Sequence, residues 1–187
     1  MSTNNKKIDI GSLLISEPFM NDHNFQRSVI LLCEHGEEGS LGFVLNKEVE
    51  ELTLKDVIND VGDCCFPLYL GGPVENNLVQ FIHTIGSEIE HSIKIAEGIY
   101  WGGDFEQLKF LLREGLLQEK QVKFFLGYAG WSPKQLDNEV NDNAWITVSV
   151  DQQAVFDRPE LLWKKTLYDM GGKYRIISNY PIDPRLN

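Results

Sequence analysis

The feature that most constrains this fold is a series of short apolar runs that stop at glycines. LYLGGPV ends at Gly71 and Gly72, IYWGG ends at Gly102 and Gly103, and FFLGYAGW breaks at Gly127. Short apolar runs bounded by glycine or proline are typical of strands, and glycine permits a positive φ or a close backbone approach. The runs therefore predict strands that end in sharp turns.

Other segments predict further strands. SVILLC and LGFVLN are joined by the turn-forming segment EHGEEGS, and together they predict a hairpin. AWITVSV has the alternating pattern of a strand. SIKIAEGIYWGG is interpreted as one strand that stops at its paired glycines.

Helix signals occur in three segments between these runs. Thr53 is expected to cap the short segment TLKDVIND, and Asp104 stands at capping-box spacing at the start of DFEQLKFLLREG. A last helix is predicted from about Glu160 to Met170, with Asp157 at capping-box spacing from Glu160. Because strands outnumber helices and come in hairpins as well as β-to-α units, the sequence favours an α+β or mixed-sheet fold.

Length and composition bound the domain count and the location. The chain of 187 residues fits one domain, 1–187, with residues 1–8 as a flexible N-terminal extension. The apolar stretch after that extension is too short for a signal peptide, and no run approaches the roughly 20 apolar residues of a spanning helix. Three cysteines without disulfide or zinc spacing predict reduced thiols. We therefore expect a cytoplasmic protein.

Charge is distributed unevenly over a chain whose net charge is −11. From Trp163 to Asn187, five basic and two acidic residues give +3, which leaves −14 on the rest. A body this acidic repels phosphate backbones, so nucleic-acid binding is disfavoured. The basic C-terminal segment still leaves a direct DNA-binding regulator as one alternative, although the sequence shows no helix-turn-helix, zinc finger or basic helix.

The stretch FLGYAGWSPKQLDNEV reads as a strand that turns into a helix. Ser132, Pro133 and Gln135 have the residue types of N-cap, N1 and N3 positions, so the sequence predicts helix initiation at Ser132. The glycines at 127 and 130 also permit an alternative, because a strand that enters a helix through glycines presents free N–H groups to an anion or small ligand. The segment has neither a phosphate-loop nor a nucleophile-elbow pattern.

If the glycine corners meet in space, they are expected to form a groove with a backbone floor. Trp101, Tyr128 and Trp131 would then be its walls, suited to a flat ligand or to a side chain of a partner. Each of these aromatic residues, taken alone, is also consistent with an ordinary core position.

The segment CEHGEEG places Glu34 and His35 beside Cys33 and two more glutamates. Such a group offers metal ligands or an acid–base pair, whereas a charged hairpin tip is usually just solvated. A hydrolase or transferase that uses His35 and Glu34 is therefore a further alternative. No metal site and no cofactor are predicted, and whether the protein is an enzyme stays open, with a non-enzymatic role favoured.

The order of these motifs resembles the AlgH/YqgE family of small bacterial proteins, over about residues 11–180. The resemblance implies a single α+β domain with a bulged, partly barrel-like mixed sheet flanked by short helices, and a cytoplasmic location. It implies no reaction and no cofactor, and some members carry a transcriptional-regulator label. This sequence departs from the family pattern at Lys134, where a glycine is usual, so the local surface is not identical across members.

The resemblance and the glycine pattern together predict a ligand or partner surface. Its residues are Glu34, His35, Asn46, Gly71, Gly72, Pro73, Trp101, Gly102, Gly103, Gly127, Tyr128, Gly130, Trp131, Gln135 and Glu139. The function favoured by the sequence is a non-enzymatic binding or regulatory domain that uses this surface. Its partner is expected to be a small molecule or a protein, with nucleic acid and membrane disfavoured.

Overall fold

The computed structural model describes residues 8–156 and 161–181 of the chain. Residues 1–7 of the predicted N-terminal extension, 1–8, lie outside the described residues. Asp157 and Glu160, the predicted capping box of the last helix, lie outside them as well.

The described residues form ten strands, six α-helices and a single 3-10 turn. Strands β1 to β10 are, in order, Ser12–Ser16, Val29–Gly36, Gly39–Val44, Glu48–Thr53, Pro67–Leu70, Val74–His83, Ile93–Ala96, Ile99–Trp101, Val122–Trp131 and Trp145–Ser149. Helices α1 to α6 are Leu54–Val57, Phe105–Arg113, Gln135–Asn141, Gln152–Phe156, Leu162–Met170 and Gly172–Ile177. None of these helices is long and apolar enough to cross a bilayer.

The strands form one large, mainly antiparallel sheet with the order β10-β1-β2-β3-β9-β6-β8-β7. Strand β5 pairs in parallel with β9 and antiparallel with β4, so the sheet is mixed as predicted. Within the described residues the path runs from β10 to β7 without closing. The α+β fold is thus confirmed, and the sheet stays open instead of forming a barrel.

The two hairpin regions give one confirmed prediction and one wrong prediction. Strands β2 and β3 form the predicted hairpin, in which His35 pairs with Ser40 and Gly36 with Gly39. The single strand predicted over residues 92–103 is wrong, because Gly98 has a φ of +67° and turns the chain between β7 and β8. A glycine in the left-handed region suits a tight hairpin turn.

The predicted caps of the first two helices are present. The Asp56 carboxylate accepts the backbone N–H of Thr53 at 2.8 Å ahead of α1. The Asp104 carboxylate accepts the N–H of Gln107 at 2.9 Å, which satisfies one free donor of the first turn of α2.

Strand β9 runs through all three parts of the core. Phe125 packs in the cluster below α5, whereas Phe124 faces the opposite cluster below α2. The alternation changes phase at Gly127, whose φ is +67°, and Ala129 and Trp131 then pack below α3. The last residues of β9 are thereby brought beside the β2–β3 hairpin.

Candidate functional site

The glycine corners at residues 71–72 and 127–130 do meet in space. The Gly71 N–H donates to the Leu126 carbonyl at 2.9 Å. A Cβ atom at Gly72 would lie 2.1 Å from the carbonyl carbon of Tyr128, and one at Gly127 would lie 2.5 Å from the carbonyl oxygen of Val74. Real Cβ atoms do not approach backbone this closely, so two backbone segments touch where side chains are absent.

The third glycine corner, at residues 101–103, lies elsewhere. The indole N–H of Trp101 donates to the side-chain oxygen of Gln80 at 3.2 Å, and the carbonyl of Gly102 is 2.9 Å from Nε2 of His83. His83 is at the end of β6 opposite to Val74, the residue that pairs with Tyr128. The predicted convergence of all three corners is therefore limited to two of them.

A groove of about 440 Å³ opens between the tip of the β2–β3 hairpin and the end of β9. We call it the hairpin groove. Its lining residues are Glu34, Glu38, Gly39, Ser40, Leu41, Val74, Tyr128, Gly130, Trp131, Ser132 and Pro133. Its volume lies in the range of small-molecule sites, about 300 to 1,000 Å³.

Four residues of the predicted surface line the hairpin groove, namely Glu34, Tyr128, Gly130 and Trp131. Sequence reasoning missed Ser40, Leu41 and Val74, which come from two different strands. No sequence motif near these three residues indicates a site, since only strand pairing brings them beside β9. Glu38 was also missed, although its place in the charged segment CEHGEEG could have indicated it.

Glu34 and His35 are adjacent in β2 but have different surroundings. Glu34 is exposed and lines the hairpin groove. Nδ1 of His35 lies 2.8 Å from the Ser40 hydroxyl, and Nε2 lies 3.8 Å from a carboxylate oxygen of Asp137 on α3. In this geometry the imidazole is partnered by Ser40 and Asp137 and not by Glu34.

Trp131, which is buried, and Glu139, which is partly exposed, form a clamp beneath the groove. One carboxylate oxygen of Glu139 accepts the indole N–H of Trp131 at 2.9 Å and that of Trp145 at 2.8 Å. The other oxygen accepts the Gln135 amide at 2.9 Å. Only 6% of Trp131 is exposed, so its main contacts are with the core below α3.

The strand-to-helix corner differs from the sequence prediction. Helix α3 begins at Gln135 and not near Ser132, because Lys134 takes the left-handed conformation at φ +62°. The Gln135 side chain does reach back as predicted, accepting the Ser132 N–H at 3.0 Å. That bond occupies one of the donors on which the anion-binding alternative depended.

Two more predicted residues, Asn46 and Pro73, lie outside the groove. The Asn46 side chain accepts the Val29 N–H at 2.8 Å and donates to the Arg27 carbonyl at 2.9 Å. It therefore bridges β2 to the end of β3, where backbone bonding stops. Pro73 is exposed at the Gly71–Gly72 corner and does not line the groove.

The charged side chains that line the groove are acidic. Among the described residues, Glu34 and Glu38 are its charged lining residues, and no lysine, arginine or histidine lines it. Across residues 8–156 and 161–181, neither carboxylate takes part in an ion pair. In the same residues, no three His, Cys, Asp or Glu side chains are grouped to hold a metal ion.

His83 is a buried polar residue at the end of β6, in agreement with the apolar strand context of its sequence. Its side chain is fully buried, and Nδ1 has no hydrogen-bond partner among the described residues. Burial lowers the pKa of His83, since the charged imidazolium would lose its hydration. Neutral His83 therefore holds the Gly102 corner from within the core.

Comparison with known proteins identifies relatives of nearly the full length. The profile of the AlgH-like family matches residues 13–175. A UPF0301 protein of Cytophaga hutchinsonii is 44% identical over 179 residues, covering 95% of this chain and 98% of the relative. A UPF0301 protein of Chlorobium limicola is 39% identical over 182 residues, covering 97% of each.

Two solved structures share the fold. The solution structure of the AlgH protein from Pseudomonas aeruginosa has a TM-score of 0.73 at 28% identity and covers 97% of this chain and 98% of its own. A crystal structure from Corynebacterium diphtheriae has a TM-score of 0.77 at 23% identity, covering 96% and 95%. The second likeness concerns the fold alone.

Proposed function

Since the chain belongs to the AlgH-like family, which brings no reaction with it, we propose that it is a non-enzymatic binding or regulatory domain acting in the cytoplasm. Its site is the hairpin groove, at the glycine-aromatic surface. The observation that carries the proposal is that the hairpin tip, Val74 at the start of β6 and the end of β9 together line one groove of small-molecule size. A small molecule or a segment of a partner protein is its occupant.

The groove is placed on a rigid support, which favours selective binding. Gly39 approaches Trp131 so closely that an added Cβ would lie 2.4 Å from the Trp131 carbonyl oxygen. The Glu139 clamp fixes the same tryptophan from below. A site whose walls are already fixed loses little conformational entropy when it binds.

The enzymatic alternative has weaker support. In the part of the chain that the structure describes, His35 has no carboxylate within hydrogen-bond distance, since Asp137 stands at 3.8 Å and Glu34 is not its partner. Burial also raises the pKa of the Cys33 thiol, which disfavours Cys33 as a nucleophile. If a turnover is found, His35→Ala should abolish it under this alternative.

The DNA-binding alternative also has little geometric support. Two of the five tail cations lie over aromatic rings, Arg175 at 4.1 Å from Tyr168 and Lys173 at 5.1 Å from Tyr174. Arg185 lies outside the described residues. Binding through all five tail cations would give log affinity against log salt a slope of up to about −4.5, and a flat response would remove this alternative.

A thermal-shift panel with a groove variant tests the proposal. A ligand at about 100 times its dissociation constant adds roughly 2.7 kcal/mol, which should raise the Tm by about 5 to 10 °C. Tyr128→Ala should remove that increase, whereas Tyr168→Ala, an exposed aromatic outside the groove, should keep it. Trp131→Ala is a poor test because Trp131 is part of the Glu139 clamp. A ligand-induced increase that survives Tyr128→Ala would place the binding site elsewhere.

A further inference from the structure

The chemistry of the hairpin groove selects the charge of its occupant. Glu34 and Glu38 bring two exposed carboxylates to one groove, and none of the lining residues that the structure describes is a cation that could neutralise them. Carboxylates near an apolar wall attract cations more strongly than the same groups in open water, because the local dielectric is lower. Overall charge adds to the effect, since the chain carries −11.

The rest of the lining is apolar and aromatic. Leu41 and Val74 present aliphatic side chains, and Tyr128 is half-buried beside them. An aromatic ring face attracts an organic ammonium group by cation–π interaction. A groove that combines aliphatic side chains with the carboxylates of Glu34 and Glu38 suits a ligand that has methylene groups between its charges.

We propose that the hairpin groove binds a linear polyamine, an organic cation with ammonium groups joined by short methylene chains. This inference rests on the proposed function of the groove and names its ligand class. Glu34 and Glu38 each pair with an ammonium group. The methylenes lie on Leu41 and Val74, and Tyr128 packs against the cation.

The spacing of the two carboxylates fits such a ligand. Glu34 stands two residues before Gly36, and Glu38 stands in the turn beyond Gly36. At about 3.3 Å per strand residue, their Cα atoms are roughly 7 to 10 Å apart, a separation that ammonium groups joined by short methylene chains can span. Two cationic centres on one chain satisfy both carboxylates.

Other ligand classes fit the groove less well. An anion would face two carboxylates, and the Ser132 N–H is already bonded to Gln135. Magnesium and calcium need about six or more oxygen ligands, which an aliphatic wall does not supply. Lys134 follows Pro133 but is not among the lining residues, so it does not neutralise the groove from within.

Amide-shift titration of the isotope-labelled full chain tests the proposal, with spermidine, putrescine and the monoamine butylamine as probes. Spermidine should shift the amides of Leu41 and Gly130, which line the groove on facing strands. Butylamine carries one ammonium group, so it should bind more weakly, by about fivefold or more.

Charge variants separate groove binding from general attraction to an acidic protein. Glu34→Gln and Glu38→Gln should each weaken spermidine binding by about fivefold, since each removes one partly exposed ion pair. The double variant Glu50→Gln/Glu51→Gln neutralises two exposed carboxylates that do not line the groove. It should change the affinity by less than about twofold.

The outcomes distinguish this inference from the proposed function. Shifts of Leu41 and Gly130 with inorganic phosphate but not with spermidine would overturn the polyamine assignment and leave the groove as the site. A trilysine peptide that binds more tightly than spermidine would assign the cation to a partner protein instead. Equal losses in the groove variants and in Glu50→Gln/Glu51→Gln would reduce the effect to net charge and overturn the inference.

Discussion

The Glu139 clamp makes a specific prediction about stability. Glu139→Ala removes the acceptor of two indole N–H groups, on Trp131 and Trp145, which are 6% and 1% exposed. Each buried donor left without a partner costs about 1 to 3 kcal/mol, so the loss should be roughly 4 kcal/mol in total. For a chain of this length, that corresponds to a fall in Tm of roughly 8 to 16 °C.

Urea unfolding followed by tryptophan fluorescence measures this loss, with two controls on the same helix. Glu139→Gln keeps an acceptor oxygen for the indoles but not the charge, and should lose only about 1 kcal/mol. Asn138→Ala changes an exposed side chain, and should shift the free energy of unfolding by less than about 0.5 kcal/mol. If Glu139→Ala were as stable as Asn138→Ala, the indole groups would not depend on the carboxylate and the reasoning would be refuted.

Two further predictions concern the glycine corners. Gly72→Ala should lower the free energy of unfolding by roughly 3 kcal/mol, because its Cβ would lie 2.1 Å from the Tyr128 carbonyl carbon. Gly36→Ala is the control, because a Cβ at Gly36 would have open space. Equal urea midpoints for the two variants would contradict this prediction. Because burial lowers the pKa of His83, the unfolded chain takes up the proton first, and stability should fall as the pH drops below about 6.5. His83→Gln keeps a donor for the Gly102 carbonyl without titrating, so its unfolding free energy should depend less on pH between about 7 and 5, and an unchanged slope would exclude His83 as the cause.

Local sequence signals predicted the elements whose stabilising contacts are themselves local. The hairpin of β2 and β3 and the Asp104 cap follow from turn chemistry and capping within a few residues. The prediction of where α3 begins was wrong because two local conformations compete at this corner. The Ser132 N–H bonds the Gln135 side chain while Lys134 adopts a positive φ, and a pattern of residue types does not decide between these options.

The candidate site was harder to predict because it depends on strand pairing between distant segments. The parallel pairing of Tyr69 with Phe125 brings the Gly71–Gly72 corner to β9. The antiparallel pairing of β3 with β9 brings Leu41 opposite Gly130. A glycine pattern marks where backbones come close, but not which backbones meet. The corner at residues 101–103 has the same pattern and lies at another end of the sheet.

The segment from Tyr128 to Glu139 contributes both to the groove and to the core. Tyr128, Gly130 and Trp131 line the groove, and the indole N–H of Trp131 donates to Glu139, which links the groove wall to the core below α3. Changes in the clamp should therefore alter stability, while changes at Glu34 should alter binding. Because no hydrogen bond or ion pair joins Glu34 to Glu139 among the described residues, their effects on unfolding should add within about 0.5 kcal/mol. A larger coupling energy would mean that the clamp and the groove act as one unit, and that ligand binding is transmitted to α3.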